Sequence, residues 1–448
     1  MFKDMVTIFS FQNGPRAGFA HCRKLAVSLT GETASARVSR NTGNNSNVVR
    51  ALAALSDEDI AGWYEAYAEC VKEKRSSRRG VRFAMDAEMQ LASLIADVYT
   101  GRYAYAPYEV FAVSHPKPRE IFSAEFRDRI VHHWIVSRLR PLVEGMLNGW
   151  GDRVHSNRRG HGCLTAVQEL DRMMSEVSGG YRTEAWVAKV DIRAFFPSVD
   201  RRIAFRMLCN LIRREYGGGD ARLLVELIRR VLPLSCGIRC NVRRSAVYDS
   251  VPAHKRIAGR ADFRGLPIGN LLSQTVACYL MGYALHLADA SLGRLGVRYV
   301  CYADDVALVG KTTEAVREAK RIVGEVVERV GLAVNRDKSY CQRVSHGVEF
   351  LGFSMRPHRM HSSRRQTCML RGAMRRLAAA CTSGCNAAVI DRCAASVNSY
   401  LGCHAHGANL RARLAAWLEV RGQAPQFYST EGCRSVRRKK HVNIINAN

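Results

Sequence analysis

The sequence predicts an α+β protein built in more than one lobe, and three observations carry that expectation. The runs Ala185–Ile192 and Val297–Val309 are dense in β-branched and apolar residues, read as buried strands, and deliver carboxylates where a strand ends. Thr275–Leu287 and Thr312–Arg329 instead read as helices, the second amphipathic. At 448 residues and 47% hydrophobic content, the chain can build either one large multi-lobed body or two to three domains.

Taken in order, residues 1–55 are rich in Ser, Thr, Asn, Gly and Arg and read as a flexible extension. Ser56-Asp57-Glu58-Asp59 opens the first helix with acids in its first turn, as the helix dipole prefers. Residues 72–80 read as a basic loop, and about 85–100 as a second helix. A Tyr/Pro-rich extended stretch, 103–113, leads to Lys117 and Arg119. A helical region follows at about 122–147, then the loop 157–162 and the strand ending in Asp191. Residues 201–234 read as helical and 235–263 as a basic, hairpin-like insertion. Arg264-Gly265-Leu266-Pro267-Ile268-Gly269-Asn270 is a Gly/Pro-punctuated turn entering a helix, where backbone can approach a ligand closely. From about Pro357 the composition shifts to Arg, Ala and Leu, a helical region whose basic face suits a phosphate backbone, before the charged run Arg434–Lys440.

A formal charge of +28 and a pI near 9.9 point to a polyanionic partner, and nucleic acid is the usual one. The 15 cysteines are scattered without a secretory pattern, which suggests a reducing cytoplasm. The spacings Cys236/Cys240 and Cys381/Cys385, with Cys393, Cys403, His404 and His406 beyond, fit a zinc motif poorly; buried thiols are the expectation. With no run of about twenty apolar residues, no membrane span is expected.

Adjacent Asp304 and Asp305 at the tip of a strand–turn–strand unit repel each other and lose hydration, and a divalent cation would neutralise them. Asp191, delivered by another strand end, completes a carboxylate set of the kind that serves phosphoryl transfer with two Mg²⁺ ions about 3.5–4 Å apart.

In this order the segments resemble the palm motifs of reverse transcriptases. Asp191 matches the first catalytic Asp, Tyr302-Ala303-Asp304-Asp305 the Tyr-x-Asp-Asp box, and Gly265–Asn270 the loop under the templating base pair. Asn335-Arg336-Asp337-Lys338 matches the later palm motif, and Phe350-Leu351-Gly352-Phe353 the primer grip. Lys117–Phe122, Phe126–His133, Gly347–Gly352 and Asn398–Gly402 are similar to the enzymes of diversity-generating retroelements. Ile268-Gly269-Asn270, running to Ser273-Gln274, follows that pattern where intron, retron and retroviral enzymes usually carry Gln-Gly and end in Ser-Pro. Tyr-Ala replaces the common Tyr-Val, and His161 replaces a frequent Lys.

The resemblance implies a right-hand polymerase with fingers at 56–185, an antiparallel palm at 186–356 bearing an insertion at about 201–263, a helical thumb at 357–420 and a basic tail at 421–448. It implies RNA-directed DNA synthesis, mutagenic at adenines, in which cDNA of a template repeat replaces a variable repeat. Catalytic Asp191, Asp304 and Asp305, with Ile192, would hold two Mg²⁺ ions, Mn²⁺ being a substitute. Lys117, Arg119, Phe195, Ile268, Gly269 and Lys338 would serve the dNTP. Arg158, Asn270, Gln274, Tyr302, Leu351 and Gly352 would serve template and primer. Phe195 falls at the sugar gate, where an aromatic ring clashes with a 2′-hydroxyl. The implied partners are template RNA, the cDNA/RNA duplex, dNTPs and a small basic helical-bundle accessory protein, in the cytoplasm of a bacterium or encoded by a phage or other mobile element. A defence-associated or retron-like reverse transcriptase is the nearest competing expectation. A non-catalytic RNA-binding scaffold is the other, and three retained acids argue against it.

Overall fold

The computed structural model describes residues 48, 51–74, 77–114, 117–232, 234, 236–402, 427–429 and 436–438. Nearly all of the expected N-terminal extension, the end of the thumb with Cys403, His404 and His406, and most of the basic tail lie outside these residues.

The strands, in chain order, are β1 (Tyr108–Val113), β2 (Arg119–Ser123), β3 (Trp186–Asp191), β4 (Cys240–Val242), β5 (Arg298–Tyr302), β6 (Asp305–Gly310), β7 (Tyr340–Arg343), β8 (Val348–Phe350), β9 (Phe353–Arg356), β10 (Arg359–Ser362), β11 (Phe427–Ser429) and β12 (Val436–Arg438). The chain divides into two compact units. One comprises Met1–Asp152, Arg193–His286 and Val327–Ala333; the other comprises Arg153–Ile192, Leu287–Val326 and Val334–Asn448.

The first unit is mainly helical. The helices Asp57–Lys74 and Leu271–His286 both pack on Phe126–Gly149. Trp63 stacks on Trp134 at 4.9 Å, and the Arg138 guanidinium covers the other ring at 3.7 Å. Leu271–His286 is buried nearly all round, as the apolar run Val276–Leu285 requires. Beside these helices lies a sheet of order β2-β1-β4, with β1–β2 antiparallel and β1–β4 parallel.

Three local expectations are corrected in this unit. The basic stretch at 72–80 is not one loop: the first helix runs to Lys74, and Arg78–Ala84 forms another, capped by Ser77 Oγ accepting from the Gly80 amide. Residues 201–234 break into Arg201–Glu215 and Ala221–Val231 around the Gly217-Gly218-Gly219 run. Residues 235–263 form no hairpin. Their one strand among the described residues, β4, joins β1, and the short helical turns Ala246–Asp249 and Ala253–Lys255 follow. Buried Glu120 on β2 grips the Tyr248 hydroxyl and the amides of Ile257 and Ala258, pinning this stretch.

The second unit carries an antiparallel sheet of order β5-β6-β3-β7. The Cys163–Val177 helix lays Ala166, Val167, Leu170, Met173 and Met174 against Val187, Val300, Ala307 and Val309. Strands β8–β10 form a separate three-stranded meander whose Phe350, Phe353 and Met355 join that core. Helices Arg364–Thr382 and Ala387–Gly402 pair through Leu370, Leu377, Ile390 and Val397. Cys381, Cys385 and Cys393, each partly buried, pack against this apolar seam.

Candidate active site

Strands β5 and β6 are joined through Ala303 and Asp304, with Tyr302 and Asp305 as the last facing pair. Ala303 takes φ 54°, a conformation that favours glycine and costs alanine on the order of 1 kcal/mol. No Asn-Gly dictates this turn; neighbouring chain holds it. The Ile192 amide donates to the Asp304 carbonyl at 3.1 Å, and the Cys301 carbonyl accepts from the His155 amide at 2.9 Å.

Asp191 ends β3 and pairs in register with Asp305. The strand ladder therefore brings two of the predicted acids opposite each other and leaves the third in the adjoining turn, all three partly exposed. Lys189 lies two residues before Asp191 and so on the same sheet face, with Nζ 2.9 Å from Asp305 Oδ1. Burial pulls the Lys189 pKa down, but the Asp305 carboxylate outweighs it, helped by Tyr340 and Asp191, so the ammonium is held above its ordinary value.

Asp191 is clasped by the segment after Val334. Asn335 donates from Nδ2 to Asp191 Oδ2 at 2.9 Å and from its amide to the Asp191 carbonyl at 2.7 Å. Ser339 Oγ accepts from the Asp191 amide at 3.2 Å and donates to the Asn335 carbonyl at 2.7 Å. Lys338 Nζ stands 3.7 Å from Asp191 Oδ2 on a half-exposed side chain.

Among the described residues, no three His, Cys, Asp or Glu side chains converge into a ready-made metal cage. The donor chemistry still fits Mg²⁺, which is held by one or two carboxylates completed by substrate phosphates and water rather than by an all-protein shell. Asp191, Asp304 and Asp305 would supply the hard oxygen ligands, and Lys189 supplies positive charge against the same carboxylates.

Other predicted residues of this unit fall as follows. Leu351 (φ 49°) and Gly352 (φ 86°) form the tight turn between β8 and β9; the Leu351 carbonyl accepts from Gln366 Nε2 at 3.4 Å, and the Gly352 carbonyl from the Ser363 amide at 2.7 Å. Tyr302 packs against the core cluster. Arg158, expected to serve template and primer, is buried and donates from Nη1 to the Val154 carbonyl at 2.7 Å.

In the first unit, Lys117 and Arg119 are exposed, Lys117 two residues before β2 and Arg119 as its first residue. Phe195 is 3% exposed and opens the short Phe195–Ser198 helix, its ring 5.4 Å from half-buried Phe196. The Ile268 carbonyl accepts from the Phe122 amide at 2.7 Å, and its side chain is half-buried. Gly269 takes φ 113°, and an added Cβ there would lie 3.0 Å from the Phe122 carbonyl oxygen, so this approach requires glycine. Asn270 is buried and Gln274 half-buried at the start of the helix that follows.

Sequence reasoning missed Lys189 and Asn335 as partners of the acids. The Lys-x-Asp spacing on β3 carries the signal for Lys189, since alternation puts both side chains on one face. Asn335 opens the stretch that resembles the later palm motif, but its long-range contact with Asp191 is not encoded in local spacing.

The COX1/OXI3 intron 2 protein of Saccharomyces cerevisiae is 24% identical over 319 residues, covering 60% of this chain and 35% of that protein. The retron Mx65 reverse transcriptase of Myxococcus xanthus is 27% identical over 157 residues, 35% of this chain and 33% of that one. The chain thus spans about a third of the length of these curated relatives. A structure of telomerase from Candida albicans in complex with a TWJ fragment of telomeric RNA aligns with TM-score 0.43 and 10% identity, over 72% of this chain and 62% of that one. No helix among the described residues is long and apolar enough to cross a membrane. The family described as reverse transcriptase (RNA-dependent DNA polymerase) matches residues 115–355, more than half of the chain. On that match the chain belongs to the reverse transcriptase family, and its α+β fold is of the right-hand polymerase class.

Proposed function

We propose that the protein is an RNA-directed DNA polymerase that copies the template-repeat RNA of a diversity-generating retroelement into cDNA with errors at adenines. The observation that carries the polymerase reading is the Asp191–Asp305 pair at the end of β3 and β6, with Asp304 in the adjoining turn. Divalent cations held by these acids and by backbone at Ile192 would activate the primer 3′-hydroxyl and stabilise the leaving pyrophosphate. Lys117 and Arg119 neutralise the incoming triphosphate, and Lys338 protonates the leaving group. Phe195 excludes the 2′-hydroxyl by its bulk. Tyr302, Asn270, Gln274, Leu351 and Gly352 seat template and primer, and the +28 charge draws the RNA/cDNA duplex. In this reading 56–185 are fingers, 186–356 palm and 357–420 thumb, and a small basic helical-bundle protein is the accessory partner.

Support for the diversifying role comes from Ile268. A β-branched apolar side chain cannot offer the amide hydrogen bond that glutamine would, so a mispair loses less there than it would beside glutamine. The match to a retron enzyme favours a second reading, a retron-like reverse transcriptase with the same chemistry. A neighbouring pair of template and variable repeats differing at adenines separates the two.

The polymerase reading is tested by Asp304→Asn on an RNA template with a DNA primer. The variant is expected to bind RNA as the wild type does and to lose Mg²⁺-dependent dNTP incorporation, since a lost ligand acts on the transition state. Wild-type incorporation by Asp304→Asn would remove the site assignment.

A further inference from the structure

We infer that Arg201 is a positioning residue that locks the segment carrying Phe195 to the loop carrying Ile268, so that discrimination against ribonucleotides and against mispairs is set jointly. The inference rests on the polymerase reading above, and all of its geometry lies within the first unit.

Arg201 stands in the first turn of its helix, where the dipole disfavours a cation, and it is fully buried. A buried guanidinium is tolerated when its donors are used. Here Nη1 donates to the carbonyls of Arg264 at 2.8 Å and Gly265 at 3.2 Å, and Nη2 to that of Asp262 at 3.1 Å. The Arg201 amide donates to the Phe263 carbonyl at 2.9 Å. The consecutive carbonyls from Asp262 to Gly265 thus all accept from Arg201.

The same two segments are joined by backbone. The Gly265 amide donates to the Val199 carbonyl at 2.9 Å and the Leu266 amide to the Phe196 carbonyl at 2.8 Å. Arg260 adds Nη1 to the Pro197 carbonyl at 3.0 Å. On its other side the loop is held at Ile268 by the Phe122 amide. Residues 195–201 and 262–268 therefore form one braced piece, and a shift of either end carries the other. A packing residue at position 201 would be apolar; only arginine's planar fork reaches several carbonyls at once.

The test is single-nucleotide incorporation on one RNA template and primer by wild type, Arg201→Lys, Arg201→Met and Arg260→Met. The readouts are kcat/KM for the matched dNTP, the matched rNTP and a mismatched dNTP. The Arg201 variants are expected to lower both the rNTP and the mismatch discrimination ratios together, by about tenfold, as displaced positioning groups do. Arg260→Met, whose side chain is 28% exposed, removes a single contact to the Phe195 segment and is expected to move both ratios in the same direction by less. It keeps the test decisive if the Arg201 variants do not fold. Loss of activity or thermal stability with both ratios unchanged, or movement of one ratio alone, in an active wild-type background overturns the inference. A wild type that extends no primer instead overturns the polymerase reading and this inference with it.

Discussion

Lys189 Nζ lies 2.9 Å from Asp305 Oδ1, a diagonal cross-strand pair on the sheet face that also carries Asp191. The lysine offsets the repulsion of two facing carboxylates and contributes on the order of 1 kcal/mol, as a partly exposed pair does. Lys189→Met should therefore melt at lower temperature than wild type in the presence of a chelator. Mg²⁺ should raise its Tm by more than it raises that of wild type, since the cation then replaces the lost charge. Equal Mg²⁺ responses would mean that Lys189 does not share the acids' electrostatic site.

Phe195 is almost fully buried and pairs edge-on with Phe196. If its ring is the sugar gate, Phe195→Ala should raise rNTP incorporation relative to dNTP by about tenfold, the scale of a steric pocket. Incorporation of both on one primer–template gives the ratio directly. An unchanged ratio would make Phe195 a packing residue.

Asp128 and His132 lie one turn apart on the Phe126–Gly149 helix and titrate in opposition. Burial pushes the Asp128 pKa up from 3.8 to about 6, against the pull of the Tyr103 hydroxyl and Ala106 amide. That contribution to stability is present at low pH and is lost as pH climbs from about 4 to 6. Burial pulls the His132 pKa down from 6.5 to about 3, so its contribution is present above 6.5 and is lost as pH falls. Between pH 4 and 6 the two contributions oppose each other, so relative to wild type Asp128→Asn should make Tm rise with pH and His132→Gln should make it fall. Parallel melting curves for all three proteins would contradict this opposition.

The acids were legible in the sequence because apolar β-branched runs end at Asp191 and begin again at Asp305, and strand alternation did the rest. Cross-strand register was not legible, so Lys189 read as an ordinary strand residue. The Asn335 clasp and the Arg201 brace join residues far apart in sequence, which no local pattern encodes. Local charge also misled. The cluster at 72–80 suggested a loop, whereas Ser77 supplies a cap and Arg78 and Arg79 sit on a helix. The insertion at 235–263 lacked a hairpin because Glu120, outside it in sequence, dictates its path.

Sequencing of cDNA decides whether the protein is an RNA-copying polymerase with a loosened check on the nascent pair. Wild type and Ile268→Gln copy one RNA template, with and without the accessory protein. Wild type is expected to misincorporate frequently opposite adenines and Ile268→Gln clearly less, since a restored polar contact returns roughly 1–3 kcal/mol of discrimination. Equally few errors at adenines from both proteins would contradict the diversifying role and favour the retron-like reading.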